Sequence, residues 1–301
     1  MNKTPTKEQL SILLQHFQSE RFDEAEKLAK LITKEFPNHY FGWKVLGAVM
    51  KDVGKINEAL DAMKKSVELE PKDPESYNNL GVIQKDLGKL NESRISFSQA
   101  IALNPDDAEV YSNLSLVNKE LGRLEEAKKN CLQAISLKPD LAEAYNNLAL
   151  ILQRMGKIEE AEANYLQAIS LKPDLSEPHN NLGTVFEEKG KLEEAKGWYA
   201  KAILLDPNYY LAINNIGNIY QKMGRLEEAR ENFKKVIELQ PTYIDSLWNL
   251  STSEGKIDNA EYWLNEILKI KVNHLPSKLM KAAFRFYMGD KNYFNSLMQS
   301  E

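Results

Sequence analysis

Seven prolines, Pro37, Pro71, Pro105, Pro139, Pro173, Pro207 and Pro241, stand 34 residues apart without a slip. A fixed period of this length marks a stacked array of like units, and it constrains the fold more than any composition can. The heptapeptide ISLKPDL recurs unchanged at residues 135–141 and 169–175. Length alone, at 301 residues, suggests about two domains. The period overrides that prior and predicts one elongated array with a continuous core.

One unit, residues 74–107, shows what repeats. Tyr77, Leu80, Gly81 and Gln84 lie at i, i+3, i+4 and i+7, one face of an α-helix. Leu90, Phe97, Ala100 and Ile101 give a second helical stripe after Gly88. A glycine suits a helix C-terminus, where a left-handed residue without a Cβ costs little. Pro105 ends the second helix, because it lacks the amide and clashes with the preceding turn. Asp106 and Asp107 can then cap the next helix and favour its positive end. The unit reads as helix, tight turn, helix, sharp stop. Small residues, Gly81, Ser93 and Ala100, sit where its two helices approach most closely.

These residues carry a family resemblance. Tyr77, Leu80, Gly81, Ser93, Phe97, Ala100 and Pro105 resemble the tetratricopeptide-repeat (TPR) pattern, as do Tyr111, Leu114, Ala127, Ala134 and Pro139 in the next copy. Tyr145, Leu148, Ala161, Tyr165, Ala168 and Pro173 continue it, and the resemblance covers nearly the whole chain. It implies an all-α fold, a right-handed superhelical solenoid of antiparallel helix pairs, whose first helices line a concave groove. The Asn-rich copies are further similar to the TPR half of protein O-GlcNAc transferases, although no glycosyltransferase domain follows in this sequence.

Along the chain, residues 6–39 form a divergent capping copy that keeps Ala25, Leu28, Ile32 and Pro37 but loses the aromatic and Leu-Gly positions. Gln9, Gln15, His16 and Gln18 make it wetter, as a terminal repeat requires. Six regular copies span residues 40–243. The copy at 244–274 is short: Gly255 follows Ser251 by four residues, where Gly88 follows Gly81 by seven. Its first helix should lack nearly one turn, and the groove should change shape there. Residues 275–301 form a degenerate pair broken at Gly289 and Asp290, rich in Phe284, Phe286, Tyr287, Tyr293, Phe294, Leu297 and Met298. Either these aromatics fold back onto Trp248 and Trp263, or something covers them: a second copy of the chain, or a downstream domain.

Composition narrows the function classes. A net charge of −5 gives no electrostatic reason to bind nucleic acid. No run of 18 apolar residues exists, so no membrane span is expected. The opening MNKTPTKEQL lacks a signal-peptide core, and a single cysteine precludes an internal disulfide framework. The expectation is a soluble cytoplasmic protein.

Nothing in the sequence reads as catalytic, and no cofactor or metal is expected. His16, His39, His179 and His274 are scattered, without metal-ligand spacing. His179 takes the slot of Tyr77, Tyr111 and Tyr145, and Cys131 that of Phe97, Tyr165 and Tyr199, so both read as packed residues. The Glu-Glu pairs at 125–126, 159–160, 193–194 and 227–228 open second helices, where they favour the dipole.

One series does ask for a function. Asn79, Asn113, Asn147, Asn181, Asn215 and Asn249 recur every 34 residues, and asparagine is an indifferent helix former. Asn79 shares a helix face with Glu75, Val82 and Asp86, away from the Tyr77–Leu80–Gly81 stripe. The resemblance aims this face into the groove, where matching asparagines of Asn-rich TPRs grip the main chain of an extended peptide. An amide offers two donors and an acceptor, the complement of a peptide backbone. The alternative is that these asparagines bridge adjacent repeats by bonding their neighbours' backbones. Beside the series run Glu75, Glu109, Glu143 and Glu177, and an apolar strip of Val82, Leu116 and Leu150 that becomes Thr184 and Asn218. This argues for a protein or peptide partner with some positive charge and a hydrophobic side chain. The favoured function is a non-catalytic interaction scaffold; the rival is the substrate-recognition region of a transferase whose catalytic domain lies elsewhere.

Overall fold

Each proline period folds as two helices. The computed structural model describes residues 4–254 and 257–288, except the side chains of 286 and 287. In chain order the helices begin with α1 (Lys7–Gln18), α2 (Phe22–Glu35), α3 (Tyr40–Asp52), α4 (Ile56–Leu69), α5 (Pro74–Asp86) and α6 (Leu90–Leu103). Next come α7 (Ala108–Glu120), α8 (Leu124–Leu137), α9 (Ala142–Arg154), α10 (Ile158–Leu171), α11 (Ser176–Glu188) and α12 (Leu192–Leu205). The last are α13 (Tyr210–Lys222), α14 (Leu226–Leu239), α15 (Ile244–Ser253), α16 (Ile257–Ile270) and α17 (Leu275–Tyr287). The described residues contain no strand, so the fold is an all-α solenoid of helix pairs.

Where the period implied one elongated unit, the chain divides into two compact ones, Met1–Leu171 and Lys172–Glu301. The boundary falls at the end of α10, just ahead of the Pro173 stop. In the first unit the helices of each pair pack together, each second helix packs on the next first helix, and α1, α3, α5, α7 and α9 touch in a row. In the second unit α11 packs on α12, α12 on α13, and so on through α17, with α13 also touching α15.

Local chemistry sets these ends. Asp73 accepts from the Ser76 amide at 3.1 Å with Pro74 in the first turn, and Asp107 accepts from the Glu109 and Val110 amides. Both are helix N-caps, and Asp107 fulfils the capping expected of the acidic pair. Gly88 adopts φ +70°, and the next amide, Lys89, donates back to Gln84 O at 2.8 Å. That left-handed closure recurs at Gly54, Gly122, Gly156, Gly190 and Gly224, each near φ +75°. Glu20 fills the same slot in the first copy at φ +56°.

Close approach within a pair depends on the small residues the sequence placed there. A Cβ on Gly81 would lie 2.8 Å from the Phe97 ring, and Ser93 Oγ donates to Gly81 O at 2.6 Å. Phe97, Tyr165, Tyr199 and Phe233 are fully buried in matching slots, with Cys131 among them. Cys131 is thus the packed residue its slot implied.

The shortened copy is as expected: α15 has 10 residues where the regular first helices have 13, while α16 keeps 14. At its end, Phe284 and Met280 of α17 pack with Trp248, Trp263, Leu247, Leu264 and Ile267. One aromatic therefore folds back on the eighth copy. Gly255, Gly289, Asp290, Tyr293, Phe294, Leu297 and Met298, and the side chains of Phe286 and Tyr287, lie outside the described residues.

Candidate peptide-binding surface

All six asparagines stand on first helices, one per repeat, and four of them donate to the first helix of the preceding repeat. In the first unit Asn113 Nδ2 donates to Asn78 Oδ1 at 3.2 Å, and Asn147 Nδ2 donates to Ser112 Oγ at 2.9 Å. In the second, Asn215 Nδ2 donates to Asn180 Oδ1 at 2.9 Å. Each step is 35 residues, one repeat plus one residue. Asn249 breaks the register: Ser246 Oγ takes Asn214 Oδ1 at 2.8 Å, so Asn249 donates to Asn218 Oδ1, one turn further along α13. Asn181 Oδ1 accepts from Asn180 Nδ2 at 3.3 Å.

One hydrogen of Asn113, Asn147, Asn215 and Asn249 thus bridges neighbouring repeats, through side chains rather than the backbones the sequence alternative named. A primary amide has a second hydrogen and an acceptor to offer elsewhere. Exposure is uneven: Asn147 and Asn181 are only 7% and 9% exposed, whereas Asn79, Asn113, Asn215 and Asn249 are half-buried. The recipients Asn78, Ser112 and Asn180 were missed by the sequence reading. The visible signal was the Asn-Asn doublet at 78–79, 146–147, 180–181 and 214–215.

Asn79 differs from the other rungs. The slot 35 residues before it holds Lys44, a donor, and the Asn79 amide makes no hydrogen bond to a described residue. Lys44 is 8% exposed and bonds Glu75 at 2.6 Å and Asp73 at 3.3 Å. Burial pulls its ammonium pKa down, but the hydrogen bond and charge of Glu75, with Asp73, outweigh it and hold the pKa above its ordinary value. Between α1, α3, α4 and α5 lies a pocket of about 300 Å³, lined by Leu14, Phe17, Phe41, Val45 and Val82, with Asn79 and Glu75 on it.

The neighbouring positions divide. Val82 lines that pocket, and Leu116 and Leu150 are half-buried on α7 and α9. Glu109 is exposed with Lys138 at 3.6 Å, and Glu143 is exposed. Glu75 is already matched by Lys44, so its charge is less open to a cationic ligand than its sequence position implied. Thr184 Oγ1 donates to Asn181 O at 2.7 Å.

The other candidates are structural. His179 is 6% exposed, its Nδ1 2.8 Å from Leu175 O and its ring against Trp198. The glutamate pairs stand in the first turns of α8, α10, α12 and α14. Among the described residues no three His, Cys, Asp or Glu side chains group to hold a metal, and no helix is long and apolar enough to cross a membrane.

Tetratricopeptide-repeat models match residues 62–95, 106–174, 140–206 and 210–243, and a TPR-repeat model matches 84–122. Together they span well over half of the chain. It is a tetratricopeptide-repeat protein. TPR proteins generally serve as protein-interaction scaffolds. No curated protein matches this TPR chain significantly. Among solved structures it is similar to the APC/C hetero-tetramer Cut9-Hcn1, at TM-score 0.69 and 17% identity over 92% of this chain and 55% of that one. It thus spans about half the length of that relative. A TPR protein from Parabacteroides merdae matches at TM-score 0.71 and 17% identity, over 82% of this chain and 98% of its own. Pseudomonas aeruginosa pilF matches at TM-score 0.56 and 17% identity, over 69% and 94%. Likeness at this identity establishes the fold alone.

Proposed function

We propose that the row of first helices in the first unit holds an extended segment of a partner protein. The observation that carries the reading is the pocket between α1, α3, α4 and α5 with Asn79 on it, the rung whose amide makes no hydrogen bond to a described residue. An apolar side chain of the segment fills the pocket against Phe17, Phe41 and Val82. The Asn79 amide bonds the segment's main chain beside it, and the half-buried amide of Asn113 extends the contact along α7. Leu116 and Leu150 continue the apolar strip.

Each such hydrogen bond contributes a net ~0.5–1.5 kcal/mol, so affinity depends on several contacts together. Binding in the micromolar range, about −8 kcal/mol, is expected. Asn147 and Asn181 are too buried to contribute equally. A peptide library displayed on phage and selected on the intact chain tests this. Selected peptides should share a large apolar residue, and their titration should weaken at least ~tenfold in Asn79→Ala with Phe41→Ala, with helix content by circular dichroism unchanged. Peptides without an apolar anchor, or affinity indifferent to both substitutions, would overturn the reading.

A further inference from the structure

Arg94 on α6, Asn118 on α7 and Asn130 on α8 line a second pocket of the first unit, about 390 Å³, together with Ser98, Tyr111 and Lys129. It lies between two second helices, apart from the apolar pocket on the first-helix row. Two buried atoms here, Arg94 Nε and Asn118 Oδ1, have no hydrogen-bond partner among the described residues, and Asn118 is only 3% exposed. A buried polar group left unpaired is costly.

The other repeats serve as internal controls. The Asn118 slot elsewhere holds Leu152, Phe186 and Tyr220, or Gln84, whose Oε1 accepts from Ser96 Oγ at 2.7 Å. The Asn130 slot holds Asn164 and Asn232, which donate to Glu160 O and Glu228 O, both at 2.8 Å. The Arg94 slot holds Lys128, Glu162, Lys196 and Arg230 in the following copies, and of these Lys196 and Arg230 pair with Glu193 and Glu227 three residues back. Asn91 stands three residues before Arg94, so the balancing acid is gone. Lys129 adds a second cation, and the pocket's acid, Glu126, faces Arg123 at 3.4 Å. Among the described residues, Arg94 Nε and Asn118 Oδ1, from adjacent repeats, thus lack the partners that Arg230 and Gln84 have in the matching slots.

We infer that this pocket binds a phosphoryl group in its hydrogen-phosphate form. Guanidinium and ammonium are the side chains suited to phosphate oxygens. The ligand's P–OH donates to Asn118 Oδ1, so one group satisfies both the orphaned donor and the orphaned acceptor after small side-chain rotations. Sulfate, fully ionised at neutral pH, has no proton for Asn118. A water could join Arg94 to Asn118, but it would leave the half-buried guanidinium without a counter-charge. Free phosphate and a phosphorylated side chain of a partner share this chemistry.

Calorimetric titration of the intact chain, slightly below neutral pH and at constant ionic strength, tests it. The probes are sodium phosphate, sodium sulfate, and a phosphoserine peptide with its unphosphorylated twin. Phosphate or the phosphopeptide should bind saturably and sulfate should not; the tighter of the two identifies the source. Arg94→Gln should lower the affinity at least ~tenfold, as loss of a charge-assisted contact does. Asn118→Leu, which copies Leu152 of the next repeat, should do the same. Lys129→Gln, at an exposed position, repeats the test if either variant fails to fold by circular dichroism. No saturable binding, sulfate binding as well as phosphate, or variants that bind like the parent would each overturn the proposal.

Discussion

Asn215 donates its amide to Asn180 Oδ1 across 2.9 Å, from α13 to α11, and Asn180 itself is only 5% exposed. Removing the donor by Asn215→Ala leaves a buried acceptor unpaired, which should cost ~1–2 kcal/mol. A double-mutant cycle with Asn180→Ala should return a coupling of ~0.5–1 kcal/mol. Asn79→Ala, with no such bond, should cost less than ~0.5 kcal/mol. Hydrogen exchange in α5, α11 and α13 is the suitable readout, because a repeat array need not unfold all at once.

Gly183 and Gly197 should respond to alanine with opposite signs. A Cβ on Gly183 would stand 2.6 Å from the Tyr199 ring, whose hydroxyl is held by Glu187 at 2.6 Å. Ala149 occupies the same slot opposite Tyr165 in another repeat, so the spacing can adapt. The cost of Gly183→Ala should therefore be near ~1 kcal/mol, the low end for overpacking. Gly197, exposed on α12, has no atom within 4 Å of such a Cβ. There alanine should stabilise by ~0.5–1 kcal/mol through helix propensity. Thermal unfolding of the two variants reads both signs.

Glu20→Gly should stabilise the first repeat. Glu20 holds φ +56° in the slot where Gly54 and its successors sit. The left-handed conformation costs a side-chain-bearing residue ~1–2 kcal/mol, part of which glycine's freedom in the unfolded chain returns. A net gain of ~0.5–1 kcal/mol, seen as slower exchange of α1 and α2 amides, is expected. Faster exchange would show that Glu20 makes a compensating contact.

Cys131 should tie stability to alkaline pH. Burial pushes its thiol from 9.0 up to about 11, against the opposing pull of a Ser115 hydrogen bond and Lys119. The unfolded thiol loses its proton first, so the unfolded chain binds fewer protons and stability falls as pH rises from about 9 to about 11. The loss should total roughly 2–3 kcal/mol at 1.36 kcal/mol per unit. Cys131→Ala should flatten that part of the profile. Iodoacetamide near the lower end of the window should label the folded parent slowly and the urea-unfolded chain fast.

The sequence by itself determined the helix pairs. Period, proline stops, left-handed glycines and acidic caps act within a few residues of one another, so their geometry is legible in one dimension. The ten-residue α15 could be counted from a three-residue gap in the same way. The small residues facing Phe97 and Tyr199 were legible too, because every repeat restates the same contact. The partners of the asparagines were decided by tertiary structure. A spacing of 34 aligns Asn113 with Asn79, but the axial offset between neighbouring first helices sets Asn113 against Asn78, and that offset is a property of packing. Whether an amide is bonded, as at Asn147, or left without a partner among the described residues, as at Asn79, depends on what the preceding first helix presents: the hydroxyl of Ser112 in one case, the cation Lys44 in the other. Likewise the lone acceptor of Asn118 appears in no motif. It emerges only once three helices bring Arg94, Asn118 and Asn130 around one pocket and leave Arg94 Nε and Asn118 Oδ1 without a hydrogen-bond partner among the described residues.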